Sequence, residues 1–178
     1  MQSSKDLIRQ PGYQALSEQQ QRLVIASYTY RSLRLVEMFD RRYDQCLAGL
    51  FGRGLAAYAA GTAHDSRALK AEIGTHIPDT DEFGEEEGAY AQNAFIALAY
   101  LMEAATSGDL ALLQASIEMT QNNADLLCYE CDPDYTLVAL LAAEQQVLDN
   151  LVAQAAAIAS AEPATLDLIA SLALPHRL

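Results

Sequence analysis

The chain contains no tryptophan. Valine and isoleucine are scarce beside alanine, which favours helix over strand. No apolar run approaches the roughly 20 residues that cross a bilayer, which argues against a membrane partner. The opening Met1–Asp6 lacks the charged-then-apolar layout of a secretion signal, so a cytoplasmic location is expected. Three cysteines is an odd number, and this argues against the disulfide framework of a small secreted domain. Glycine-rich phosphate loops, serine elbows, HExxH helices and basic–aromatic stripes are also missing. No catalytic residue, cofactor or metal is therefore assigned.

What is present is mass enough for one core. At 178 residues with 51% hydrophobic side chains, a single domain would bury about 70% of the surface its unfolded chain exposes. Net charge is −13 and uneven. Residues 1–70 carry ten Lys and Arg against six acids, a net +4, while residues 71–178 carry one Arg against eighteen acids, a net −17. So acidic a surface repels nucleic acid and anionic membrane. The asymmetry implies that the Arg-rich first helix lies beside the acidic later ones, within a chain or between subunits. A sharper alternative is a basic face that grips an anionic partner.

The stretch Phe83–Leu127 reads as the organising element, a helical hairpin. Tyr90, Ala94, Phe95, Leu98, Leu101, Met102 and Ala105 repeat at helical spacing. Gly108 closes that helix and Asp109 caps the next. Leu110, Leu113, Ile117, Thr120, Ala124 and Leu127 form the second arm's apolar side, with Gln114, Glu118, Gln121 and Asp125 opposite. So short a connection forces the arms antiparallel. Before the hairpin, residues 1–16 read as a polar leader with a break at Pro11-Gly12. An unbroken helix follows from Ser17 to near Cys46, with Arg31, Arg34, Glu37, Arg41 and Asp44 spaced as a ladder of opposite charges. Leu47–Ala60, ended by Gly61, is a further helix whose Gly49, Gly52 and Gly54 imply close packing, and Ser66–His76 is a shorter one. Thr136–Ala161 is a long helix with Leu137, Leu141, Leu148, Val152 and Ile158 inward, and Thr165 caps a last one to Leu174. The expectation is an all-α bundle of about seven helices in a single domain over residues 17–174, with a loose tail at 175–178.

Four groups of residues invite chemistry. Asp79–Glu87 holds six acids in nine residues, but an EF-hand counted from Asp79 would place Phe83 and Tyr90 where ligands belong. Acids in the first turn of a helix explain it better. Cys128-x-x-Cys131 falls at a helix end beside Glu130 and Asp132, where a thiol stays protonated, and it supplies only two of four zinc ligands. Glu72 and His76 sit one turn apart and His64-Asp65 is adjacent in sequence, yet a di-iron bundle needs two Glu-x-x-His motifs. Tyr28, Tyr30, Tyr43, Tyr58, Tyr90 and Tyr100 all fall on expected helices, and each hydroxyl wants a partner when buried.

Arg31, Met38-Phe39, Arg53 and Leu55, the run Ile77–Phe83, Ala91, Ala94, Ala97-Leu98 and the turn Ser107-Gly108 follow an order that resembles the bacterial family catalogued as domain of unknown function 416. The likeness covers roughly residues 16–127. It implies an all-helical cytoplasmic protein and carries over no catalytic residue. The chain departs from that pattern at Arg34, near which the family tends to have a proline, and at Asn93, where an aspartate is usual. The Ala-rich Leu140–Leu151 replaces a tryptophan- and glutamate-rich helix. A carboxylate site built from those places would be lost or altered here.

Function is then expected to be non-enzymatic, an acidic domain acting through self-association, most simply a symmetric homodimer, or through another protein. The alternative is a small-molecule or metal-binding bundle, enzymatic or not, using Tyr, Glu and His side chains between helices. Tyr28, Tyr30, Arg31, Arg34, Tyr90, Asn93 and Tyr100 are the ligand or interface candidates.

Overall fold

The computed structural model describes residues 7–159 and 163–178, and every side chain among them except those of residues 63–66. Among the described residues it is all-helical. In chain order the α-helices are α1 (Pro11–Gln14), α2 (Glu18–Tyr30), α3 (Leu33–Tyr43), α4 (Leu47–Ala60), α5 (Ala63–Thr75), α6 (Glu86–Ser107), α7 (Leu110–Cys131), α8 (Leu137–Ala156) and α9 (Leu166–Ala173). Short 3-10 turns precede α1, at Leu7–Arg9, and follow α9, at Leu174–His176. None of these helices is long and apolar enough to cross a membrane.

The centre of the bundle is α2. Ser17 opens it with a capping box, its side chain accepting from the Gln20 amide while Gln20 accepts from the Ser17 amide. From there Leu23 to Thr29 are buried without a break, the signature of a helix surrounded on all sides. It packs against α4, α6, α7, α8 and α9. The hairpin expected to organise the chain lies against this helix instead of at the centre. Its arms, α6 and α7, run over Glu86–Cys131 and not Phe83–Leu127, and they share the longest seam in the molecule. Gly108 takes the left-handed conformation (φ +72°) that ends α6, and the Asp109 carboxylate caps α7 through the Ala111 amide at 2.9 Å. The Tyr90 carbonyl, near the start of α6, accepts from Asn123 Nδ2, late in α7, so the arms are antiparallel. Leu98 and Ile117 are both sealed inside.

Among the described residues nine α-helices replace the expected seven, because α1 forms in the supposed leader and the first long helix is two. No proline breaks it. At Arg31 and Ser32 the backbone tightens to i→i−3 hydrogen bonds, Arg31 N to Tyr28 O at 3.3 Å and Ser32 N to Thr29 O at 3.1 Å, a local 3-10 step that separates α2 from α3. The leader also contributes to the core, since Leu7 and Tyr13 are buried. Residues 175–178, expected as a loose tail, include His176, whose carbonyl accepts from Arg31 Nε at 2.5 Å.

Gly54 has the close approach its residue type implied. A Cβ there would stand 2.7 Å from Leu98 Cδ2 and 3.1 Å from Ile73 Cδ1, whereas Gly49 faces open space. The acids of Asp79–Glu87 mostly precede α6, and only Glu86 and Glu87 lie in its first turn. Helix α8 is capped by Thr136 through the Ala139 amide. It turns Leu140, Glu144, Leu148, Leu151 and Ala155 inward, leaving Leu137 half exposed. It ends at Ala156 with Ala157 as its cap, short of the expected Ala161, and residues 160 and 161 of that expectation lie outside the described residues.

Candidate functional site

Among the described residues, eight of the nine buried polar or charged side chains come from two places, residues 27–32 of α2 and its exit and residues 116–123 of α7; Arg31 and Glu144 are the only charged ones. Arg31 and Glu144 are each 4% exposed. Arg31 Nη1 donates to Glu144 Oε2 at 2.5 Å and Nη2 donates to Oε1 at 2.8 Å, a bidentate pair. The Tyr28 hydroxyl donates to the same Oε2. Gln121, facing inward from α7, hydrogen-bonds the Tyr28 hydroxyl. The Arg31 guanidinium also lies 4.9 Å from the centroid of the Tyr28 ring, within cation–π range. Tyr28 and Arg31 are one turn apart, i and i+3, so α2 presents both to Glu144 on α8.

The electrostatics keep each group in one state. Burial works against the Arg31 charge, but the hydrogen bonds and the charge of Glu144 outweigh it and raise its pKa. Burial first, then Glu144, push the Tyr28 hydroxyl well above its ordinary range, so it remains a donor. His176 is moved the other way, lowered by burial and then by the Arg31 charge, and its Nε2 is buried without a hydrogen-bond partner. This cluster is closed. Its chemistry is to brace α2, α8 and the C-terminal turn against one another, not to meet a substrate.

Outside it the molecule opens. A cleft of about 310 Å³ is lined by Tyr30, Arg31, Arg34, Glu37, Arg41 and Arg177. Tyr30, Arg34, Glu37 and Arg41 follow one another at helical spacing, i, i+4, i+7 and i+11, along one face. The expected ladder does not form: among the described residues Glu37 pairs with neither arginine. Arg34, Arg41 and Arg177 likewise have no ion-pair partner among the described residues.

Of the residues singled out in the sequence, Tyr28 and Arg31 meet in the buried cluster, and Tyr30, Arg31 and Arg34 meet in the cleft. Tyr90 is elsewhere. Its hydroxyl donates to Glu130 Oε2 at 2.7 Å across the open end of the hairpin. Asn93 and Tyr100 are half-buried on α6 and belong to neither place. Sequence reasoning missed Glu144, Gln121, Arg177 and His176. One signal was available, since Glu144 is the only charged residue between Asp134 and Asp149.

Two other features bear on function. Cys128 and Cys131 are free thiols in the last turn of α7, and burial followed by the charges of Glu144, Asp132 and Asp125 raises the Cys128 thiol. Among the described residues no three His, Cys, Asp or Glu side chains group closely enough to hold a metal ion. At the corner where α7 gives way to α8, Tyr129 is 73%, Val138 80% and Leu137 50% exposed, with the Tyr129 ring standing edge-on to Tyr135. Comparison with protein-family models, with curated proteins and with solved structures finds no match.

Proposed function

We propose that the protein is a non-enzymatic cytoplasmic domain that acts through self-association, as a symmetric homodimer formed at the α7–α8 corner. One observation carries this reading, the exposure of Tyr129, Leu137 and Val138. Large apolar side chains gathered at one corner are what an interface covers. Leu126, one turn before Tyr129 on α7, adds to them. A two-fold axis needs only this one patch, because each copy presents the same surface to the other.

Charge complementarity between copies is not needed to explain the asymmetry of the sequence. Four ion pairs join the basic first 70 residues to the acidic remainder within the chain: Arg31–Glu144, Arg42–Glu85, Arg53–Glu72 and Lys70–Glu103. The corner is rimmed by Glu130, Asp132 and Asp134, all exposed. Like charges would face each other across the axis, so salt should strengthen the dimer by screening them. Kinship with domain of unknown function 416 is part of this proposal, and it fits a role without catalysis.

Light scattering coupled to size exclusion tests it. The expected result is a mass that rises to twice that of one chain with concentration, at lower concentration in high salt. Val138→Asp should remain monomeric with an unchanged helical circular dichroism spectrum. A monomer at every salt and concentration overturns the proposal.

A further inference from the structure

The geometry points to the arginine cleft as a binding site for a small phosphate monoester, independent of self-association. The site's outer wall is Arg34, Arg41 and Arg177, its inner wall Arg31, and Tyr30 and Leu33 flank them. Arg31 contributes little net charge because Glu144 neutralises it in a bidentate pair, and that pair holds the floor rigid. The remaining lining groups are three guanidinium cations and one carboxylate, Glu37, a surplus of two positive charges. A phosphate monoester carries about −1.5 to −2 at pH 7, which matches that surplus, whereas a single carboxylate would leave half of it uncompensated.

The arginines could have been neutralised within the chain. Twenty-four acids are available, and Arg42, Arg53 and Lys70 each reach one, while Arg67 on α5 reaches none among the described residues but does not line the cleft. Arg34, Arg41 and Arg177 reach none among the described residues. Guanidinium forks match the oxygens of a phosphate in a way that an ammonium does not. The cavity of about 310 Å³ lies at the small end of the range for ligand pockets, and Leu33 offers an apolar wall for the organic part. A long polyanion is disfavoured, because the chain as a whole carries a net charge of −13 and repels it.

Isothermal titration calorimetry with phenyl phosphate and with inorganic phosphate tests the site, with succinate as a dicarboxylate comparison. Both phosphates should bind the wild-type protein saturably at one site, phenyl phosphate more tightly than succinate. Arg34→Gln and Arg41→Gln should each weaken binding about tenfold or more, the loss expected for one charged hydrogen bond. Arg53→Gln, on an exposed arginine outside the cleft, should leave it unchanged, and all three variants should keep the wild-type circular dichroism spectrum. Absence of saturable binding of either phosphate at millimolar concentration overturns the proposal. So does equal weakening by Arg53→Gln, which would mark a diffuse surface effect. Succinate binding as tightly as phenyl phosphate would overturn the phosphate assignment.

Discussion

The guanidinium of Arg31 and the carboxylate of Glu144, 113 positions apart in the chain, meet through two parallel hydrogen bonds in the interior. Desolvating both charges is costly, and only their mutual contact and the hydrogen bonds from Tyr28 and to His176 offset it. Removing one partner therefore leaves a buried charge alone. Glu144→Ala should destabilise the protein by about 3–5 kcal/mol. Replacing both residues, Arg31→Met with Glu144→Leu, should recover most of that loss. Urea unfolding of Arg31→Met, of Glu144→Leu and of the double variant checks it, and that cycle gives the coupling energy directly. Additive single losses would contradict the arrangement.

That pair also explains which parts of the fold were legible in the sequence. Helix ends were readable because they depend on local chemistry: Ser17, Gly61, Gly108, Asp109 and Thr165 all stop or start helices as their residue types imply. The inward face of α8 was not. Glu144 reads as a surface residue, and placing it outside rotates the helix so that Leu137 and Leu141 face in. Gln121 misleads in the same way on α7, and Arg31 reads as one rung of a surface ladder. Each is polar, and each is buried because a partner meets it across helices, Arg31 and Glu144 each other and Gln121 the Tyr28 hydroxyl. Single-residue preferences carry no information about a partner more than a hundred positions away. The break at Arg31-Ser32 was hidden for a related reason, because neither residue is a glycine or proline. The cleft was half legible, through Tyr30, Arg31 and Arg34, and Arg177 joined it only through the fold.

Gly54 should not tolerate a methyl group. The nearest atoms belong to Leu98 and Ile73, and both side chains are fully buried, so neither has room to retreat. Gly54→Ala gains helix propensity of about 1 kcal/mol but must displace Leu98, and overpacking of that kind costs about 1–3 kcal/mol. Chemical unfolding should show a net loss. Gly49→Ala, on the same helix but facing open space, should instead stabilise.

The buried tyrosines set an alkaline limit. Burial is the largest cause raising Tyr13, Tyr28 and Tyr58 above the ordinary value of 10.0. A group whose folded pKa lies above its unfolded one contributes stability that is intact below the unfolded value. That contribution is lost as pH rises from 10 towards the folded value. Ultraviolet difference titration should show these three ionising only as the helical signal disappears. Tyr58→Phe should move the alkaline unfolding midpoint upward relative to wild type, since one such group is gone. Ionisation of all nine tyrosines in a still-folded protein would contradict their burial.

At the open end of the hairpin the sign of the acid-side dependence can be worked out. Glu86 begins α6 and Glu130 lies next to the end of α7. The charge of Glu130, followed by a hydrogen bond with it, raises the Glu86 carboxyl above its ordinary 4.5. Tyr90 donates to Glu130 at the same place. The two carboxyls can share a proton, but once both are ionised they repel. A carboxyl raised on folding contributes stability below about pH 4.5 that is lost as pH rises through its folded value. At neutral pH the pair therefore weakens the junction of α6 and α7. Glu86→Gln keeps the hydrogen bond and removes the repulsion, so its melting temperature should exceed that of wild type at pH 7. The two proteins should converge as pH falls below 4.5, and thermal melts across that range decide it: a variant less stable than wild type at pH 7 would show that Glu86 acts mainly through its charge at the start of α6.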